Sequence, residues 1–252
     1  MARRQGSRMP LVALLPNLVT ILGLSAGLTS IRFSIDATLW LAAGLLIFAA
    51  LIDALDGMLA RRLDAASPMG AELDSLSDFV CFGVAPALLV YRFALSDLYG
   101  VGWVAALFLA ICCCLRLARF NVMAKDPGQD VSTHFVGVPA PAGAMLALFP
   151  VFLHLAEIVD LRGAPLLVAG WTVGVGVLMV ARFRTVSLKA MRIDRDNAVY
   201  VLLGAAVVIG LMLTRIWLFA VGATAIYLAL LVIGVVRARR GTATAQEAAP
   251  EE

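Results

Sequence analysis

The chain has 252 residues, 62% of them hydrophobic, with a mean hydropathy of +0.95. Soluble domains are nearer about 45–50% apolar, so the composition excludes an ordinary soluble domain. A net charge of only +3 gives no basis for a nucleic-acid partner. In hydrocarbon, backbone N–H and C=O groups find no water, so the apolar runs must be helical. The expectation is an all-α, polytopic membrane helical bundle.

Residues 1–10 are polar and basic and form a short N-terminal segment. Apolar runs then predict about eight spans. The first four are Leu11–Ser34, Leu39–Arg62, Met69–Tyr91 and Val101–Asn121. After a polar loop at 122–136 come Val138–Ile158, Leu166–Val180, Ala198–Leu213 and Trp217–Val236. The first span carries Asn17 and Thr20 just inside its start. Ser67-Pro68 reads as an N-cap followed by proline at the first helical position, which starts the third. Glycines in the first and sixth spans suit close helix packing. The division expected is a core at 11–190, two further helices within 191–240, and a disordered Ala/Glu/Thr-rich tail at 241–252.

Eight spans place all but four of the 20 Lys and Arg residues on one side, the exceptions being Arg32, Arg92, Arg162 and Arg215. The positive-inside rule then puts both termini in the cytoplasm. The four cysteines, Cys81, Cys112, Cys113 and Cys114, all lie in apolar runs. Three are consecutive, so their side chains diverge around a helix and form no disulfide framework or zinc cage. Trp40, Trp103 and Trp217 fall where an outer aromatic belt is expected, whereas Trp171 is too deep for it.

Four aspartates interrupt two of these spans: Asp53 and Asp56 in the second, Asp74 and Asp78 in the third. One carboxylate at mid-bilayer costs about 3 kcal/mol on insertion scales, so four need compensation. Spacings of three and four put each pair on one helical face. A short connection makes the helices antiparallel, so the pairs can face each other and form an oxygen-rich cage for hard divalent cations. Gly57 and Ala60 share the Asp53 stripe, and Gly70 lies one turn before Asp74, leaving room for a ligand against the backbone. Asp53 is eight residues from Arg61 at the cytoplasmic end, about 12 Å deep. The cage therefore lies inside the membrane and opens toward the cytoplasm. The plainer alternative is a hairpin whose acids pair with basic neighbours. A cation- or proton-coupled transporter would place its site near the midplane between repeated halves; no repeat is evident here.

Near the end of the fourth span, Arg116 and Arg119 are three apart and share a face. Guanidinium groups fork onto carboxylate or phosphate, although positive-inside anchoring also explains basic residues there. Pro139 and Pro141 open the fifth span.

The aspartate stretch resembles the CDP-alcohol phosphotransferase motif, D-x2-D-G-x2-A-R-x8-G-x3-D-x3-D. Every fixed position is present: Asp53, Asp56, Gly57, Ala60, Arg61, Gly70, Asp74 and Asp78. Further residues resemble the phosphatidylserine synthase branch: Pro16-Asn17-Leu-Val-Thr20, Arg116-Leu-Ala-Arg119-Phe-Asn121, Phe135-Val-Gly137-Val-Pro139-Ala-Pro141 and Ser187-Leu-Lys189. The resemblance implies transfer of a phosphatidyl group from CDP-diacylglycerol to the hydroxyl of L-serine, with CMP leaving. It implies two divalent cations, Mg2+ or Mn2+, held by Asp53, Asp56 and Asp74 with Asp78 beside them, and Asp78 as general base. Gly57, Ala60 and Gly70 would line the cytidine, Arg61 would touch the donor, and Asn17 and Thr20 would bond its pyrophosphate or the metals. Arg116, Arg119 and Asn121 are candidates for the acceptor site. The resemblance further implies a homodimer in the cell membrane. The same chemistry with glycerol 3-phosphate, inositol phosphate or choline as acceptor stays open at this point, because arginine serves a phosphate as well as a carboxylate.

Overall fold

Helices satisfy their own backbone groups, and among the described residues helix is the sole regular structure. The computed structural model describes residues 14–63, 67–124, 137–181, 210, 212 and 214–247. The polar loop at 125–136, the Ser187-Leu-Lys189 motif and nearly all of the expected seventh span therefore lie outside the described residues.

Helix α1 (Leu15–Ile35) buries Pro16, Thr20, Gly23, Gly27, Ser30 and Ser34, at alternating intervals of four and three. That is a seam of small side chains, which lets backbones approach closely where lipid offers no hydrophobic drive. A Cβ on Gly27 would lie 2.5 Å from the Cys81 sulfur, and one on Gly23 would lie 3.2 Å from Ile52. The seam thus seats α1 against both helices that carry aspartates. Large side chains go the other way: Leu18, Leu22, Leu28, Phe48 and Leu51 are exposed, as a lipid-facing surface requires. A tight cap joins α1 to α2 (Leu39–Arg62). Thr38 N–H bonds to Phe33 O at 2.9 Å and Ala37 N–H to Ser34 O at 3.3 Å, with Ala37 left-handed at φ 57°.

Ser67 caps α3 (Pro68–Asp78) as its sequence predicts: its side chain accepts from Gly70 N–H at 3.0 Å, and Pro68 takes the first turn. Beyond Asp78 the helix widens. Pro86 cannot donate to the Phe82 carbonyl, and the chain ahead of it adopts π geometry over Phe79–Val84, where Ala85 N–H reaches back five residues to Val80 O. Helix α4 (Ala85–Val90) follows, then a second π stretch at Tyr91–Leu95 and a 3-10 turn at Ser96–Leu98. The third span was expected to stop at Tyr91, but these wider and tighter turns carry it on to Leu98. Tyr99, at φ 48°, reverses the chain into α5 (Tyr99–Ala124).

The continuous apolar run Pro68–Met123 is consequently a hairpin rather than one span. A Cβ on Gly102 would collide with Leu95 O, and the rings of Tyr91 and Trp103 meet edge to face at 5.5 Å. A Cβ on Gly83 would lie 3.2 Å from Cys113 Cβ, and Ser75 bonds to Asn121. Each pair moves one step down the same antiparallel ladder.

The expected fifth span is interrupted. Helices α6 (Ala140–Ala147) and α7 (Phe149–Leu155) meet at Leu148, because Pro150 has no amide for the Leu146 carbonyl. Trp171, on α8 (Pro165–Val180), supplies the missing donor: its Nε1–H bonds to Leu146 O at 2.7 Å. That bond accounts for an indole too deep for an interfacial belt. Trp171→Phe keeps an aromatic ring, though a smaller one, and deletes the donor, and a buried carbonyl left without a partner costs about 1–3 kcal/mol. The expected result is a lower thermal unfolding midpoint in detergent; an unchanged midpoint would show that the carbonyl finds another donor.

Of the sixth-span glycines, Gly176 packs tightly, its Cβ position lying 3.0 Å from Phe108, while Gly170 and Gly174 face open space. Cys81, Cys112 and Cys113 are buried, whereas Cys114 is exposed. Outside the spans, Asp160 takes a two-pronged bond from Arg162, at 2.7 and 3.0 Å. This holds its carboxyl down at about 2. His154 Nδ1 lies 3.3 Å from the same carboxylate.

The last helix, α9 (Ile216–Glu247), runs past the expected end at Val236 into the stretch expected to be disordered. Its Ala, Gln and Glu residues favour helix, which explains the continuation. Four described stretches are long and apolar enough to cross a membrane: Leu15–Ile35, Leu39–Leu59, Pro68–Met123 and Ile216–Gly234. The protein is a helical membrane protein.

Candidate active site

Thr20 belongs to the small-residue seam of α1, and its position there fixes its partner on α2. Its hydroxyl lies 2.8 Å from Asp56 Oδ2, to which it donates, and 3.1 Å from the Pro16 carbonyl. Asp56 is only 5% exposed. A buried carboxylate without a donor would be strongly unfavourable; Thr20 gives it one and fixes its rotamer.

Asp53 and Asp56 project from α2, and Asp74 projects toward them from α3. Their carboxylate oxygens lie within 4.8 Å of one another. Oxygens bound to one Mg2+ at about 2.1 Å sit at most about 4.2 Å apart, so closing the group around a cation needs only sub-ångström movement. An all-oxygen donor set suits magnesium or manganese rather than a thiophilic metal. These three residues fit a divalent cation. Asp78 stands outside this close group. It lines one small space with Asp53, close enough for the two carboxyls to interact. Two carboxyl groups that close need a shared proton or a cation between them.

A cleft of about 220 Å³ opens beside the carboxylates. Asn17, Thr20, Asp56, Gly57, Arg61, Gly70 and Asp74 all line it, so most of the positions expected to hold the donor share one wall-to-wall space. Gly70 is required by its neighbours: a Cβ there would lie 2.8 Å from Asn17 Oδ1 and 3.0 Å from Ser67 Oγ. Over Gly57 lies the Arg61 guanidinium, one nitrogen 3.6 Å from where a Cβ would be. Ala60 lies on the same helix, and its side chain is outside the described residues. A small deeper space, about 10 Å³, touches Thr20, Asp53, Asp56, Ser77 and Asp78; it has room for about one water.

Arg116 does not line this cleft. Its Nε is fully buried with no hydrogen-bond partner. Arg119 is half-buried. Asn121 is tied elsewhere: its Nδ2 donates to Ser75 Oγ at 2.9 Å, pinning the end of α5 to the middle of α3. Sequence reading missed Ser75 as that partner and Ser67 as part of the cleft rim. The spacing of Ser75 between Asp74 and Asp78 places it one step round the helix from them, and that was the available signal.

The model of the family described as CDP-alcohol phosphatidyltransferase matches residues 13–181. The chain is 40% identical over 198 residues to the CDP-diacylglycerol–serine O-phosphatidyltransferase of Mycobacterium tuberculosis (strain ATCC 25618 / H37Rv), covering 77% of this chain and 68% of that one. It is 35% identical over 170 residues to the enzyme of the same name from Bacillus subtilis (strain 168), covering 68% and 88% respectively. It is also similar to the archaetidylserine synthase of Methanothermobacter thermautotrophicus, 40% identical over 134 residues, 52% of this chain and 54% of that one.

Proposed function

This chain belongs to the CDP-alcohol phosphatidyltransferase family, and on that premise we propose how its cleft works. The protein is an enzyme that transfers the phosphatidyl group of CDP-diacylglycerol to L-serine, giving phosphatidylserine and CMP. The observation that carries the reading is the convergence of Asn17, Thr20, Gly57, Arg61 and Gly70 on one cleft with Asp56 and Asp74.

The donor lies along this cleft. Gly57, Ala60 and Gly70 leave space for the cytidine, while Arg61 and Asn17 bind the pyrophosphate. Asp53, Asp56 and Asp74 would hold two divalent cations, Mg2+ or Mn2+, with Asp78 beside them. When bound, these cations supply positive charge against the phosphates and the departing CMP. Thr20 keeps Asp56 oriented for that duty. Asp78 accepts the proton of the serine hydroxyl. The serine oxygen forms a bond to the phosphorus bearing diacylglycerol as the bond from that phosphorus to CMP breaks. Arg116 and Arg119 hold the serine carboxylate, with Asn121 fixing the end of their helix through Ser75.

The charge pattern supports eight spans with both termini in the cytoplasm. The site then opens to the cytoplasmic face of the cell membrane, where a soluble amino acid and a lipid donor can meet. We assign the core to residues 11–190, with residues 1–10 as an N-terminal segment, two further spans in 191–240 and a tail at 241–252, in a chain that works as a homodimer.

The test is CMP release by purified protein given CDP-diacylglycerol and one acceptor at a time: L-serine, glycerol 3-phosphate, inositol phosphate or choline. Release with serine alone is expected. Faster release with glycerol 3-phosphate would reassign the acceptor and leave the chemistry in place.

A further inference from the structure

We propose that Ser67, the cap of α3, donates its hydroxyl proton to the cytosine base of the nucleotide, so that one side chain both starts the helix and recognises the donor. The inference rests on the reading of the cleft as the donor's, made above.

Ser67 is half-buried and lines the cleft together with Asn17, Arg61, Gly70, Ala71 and Asp74. Its own hydrogen bonds leave a definite remainder. The hydroxyl oxygen accepts from Gly70 N–H at 3.0 Å, and the carbonyl accepts from Ala71 N–H at 3.0 Å. Pro68 has no N–H to give. Ser67 itself therefore takes up most of the first-turn donors of α3, and the bare helix end has little left for a ligand. A serine hydroxyl carries one proton as well as its lone pairs. Among the described residues that proton has no acceptor. Capping explains the oxygen and leaves the proton unused.

Gly70 keeps that proton reachable. A Cβ there would lie 3.0 Å from Ser67 Oγ and 2.8 Å from Asn17 Oδ1. Any side chain at position 70 would cover the hydroxyl and close the cleft at its rim.

Depth along α3 decides which part of the donor arrives there. Asp74 comes seven residues after Ser67, about 10 Å or two turns along the helix. The phosphates belong at the level of Asp56 and Asp74, with the cations. Ser67 stands at the helix start, where the nucleoside extends outward from those phosphates past Gly70. Cytosine carries two adjacent acceptors, its ring N3 and its carbonyl O2, and a single hydroxyl proton suits either. A phosphate calls for a charged donor, which Arg61 supplies in the same cleft.

Phosphatidylserine formation by the full-length protein in detergent, inhibited by added CMP or by ribose 5-phosphate, tests this. Ser67→Gly removes the hydroxyl yet remains a tolerable N-cap, so the thermal midpoint should fall only slightly. Its inhibition constant for CMP should rise about three- to tenfold, the effect of one lost hydrogen bond. The constant for ribose 5-phosphate, which has no base, should hold. Ser67→Asp caps as well as serine and donates no proton; it should show the same split. Ser67→Thr keeps both oxygen and proton and should match the parent. Parental CMP inhibition in Ser67→Gly and Ser67→Asp would make Ser67 a cap alone and overturn the proposal, with the reading of the cleft intact. Equal rises for CMP and ribose 5-phosphate would move the effect from the base to the phosphate and overturn it too. A parent enzyme that CMP does not inhibit would remove the nucleotide from the cleft, and the inference would fail with that reading.

Discussion

Asp78→Asn should reduce CMP release by about a hundred- to ten-thousandfold, the usual worth of a positioned general base, while CDP-diacylglycerol still binds. The substitution keeps shape and removes the ability to take a proton. Asp78 stands outside the close group of Asp53, Asp56 and Asp74, so the charges that hold the donor's phosphates remain. Its position also favours the role. It ends α3, where the helix widens into the π stretch at Phe79–Val84, and it lines one small space with Asp53. Single-turnover CMP release and donor binding, measured on the same preparation, separate the outcomes. Full activity in the variant would eliminate Asp78 as the base. Loss of donor binding together with turnover would move it among the cation ligands.

Asp56→Asn should silence the enzyme at any practical cation concentration, and Thr20→Val should weaken it in a graded way. Asp56 is the most buried of the three clustered carboxylates and receives the Thr20 hydrogen bond at 2.8 Å. Removing a group that orients a metal ligand typically weakens metal affinity by about 10- to 100-fold. The Mg2+ or Mn2+ concentration for half-maximal CMP release in Thr20→Val should rise by about that factor, with the serine KM unmoved. A parental cation dependence in Thr20→Val would mean that Asp56 needs no orienting partner. Activity of the parent enzyme in excess chelator would remove the cations from the account altogether.

The aspartate hairpin was legible in the sequence because it is written in local, periodic signals. Spacings of three and four set the faces, and the Ser67-Pro68 cap fixes where α3 begins, hence which way Asp74 points. The small-residue seam of α1 was half legible: glycines announced close packing, but not that Thr20 would reach Asp56 across two helices. Prolines were read as punctuation, while their effect on distant partners was not. Pro150 strips Leu146 of its donor, and the remedy comes from Trp171, far along the chain. Pro86 acts through a change of helical pitch that apolar periodicity does not reveal. Asn121 was read as an acceptor candidate, and its bond to Ser75, 46 residues away, was not foreseen.

Binding of Mn2+ to the purified protein, followed by the disappearance of the free-ion paramagnetic resonance signal during titration, tests the central claim most directly. The parent protein should take up two ions per chain in a saturable manner, and Asp56→Asn should lose that uptake while remaining folded in detergent. Equal, unsaturable uptake by the two proteins would contradict the claim that the carboxylates of α2 and α3 form a cation site within the membrane.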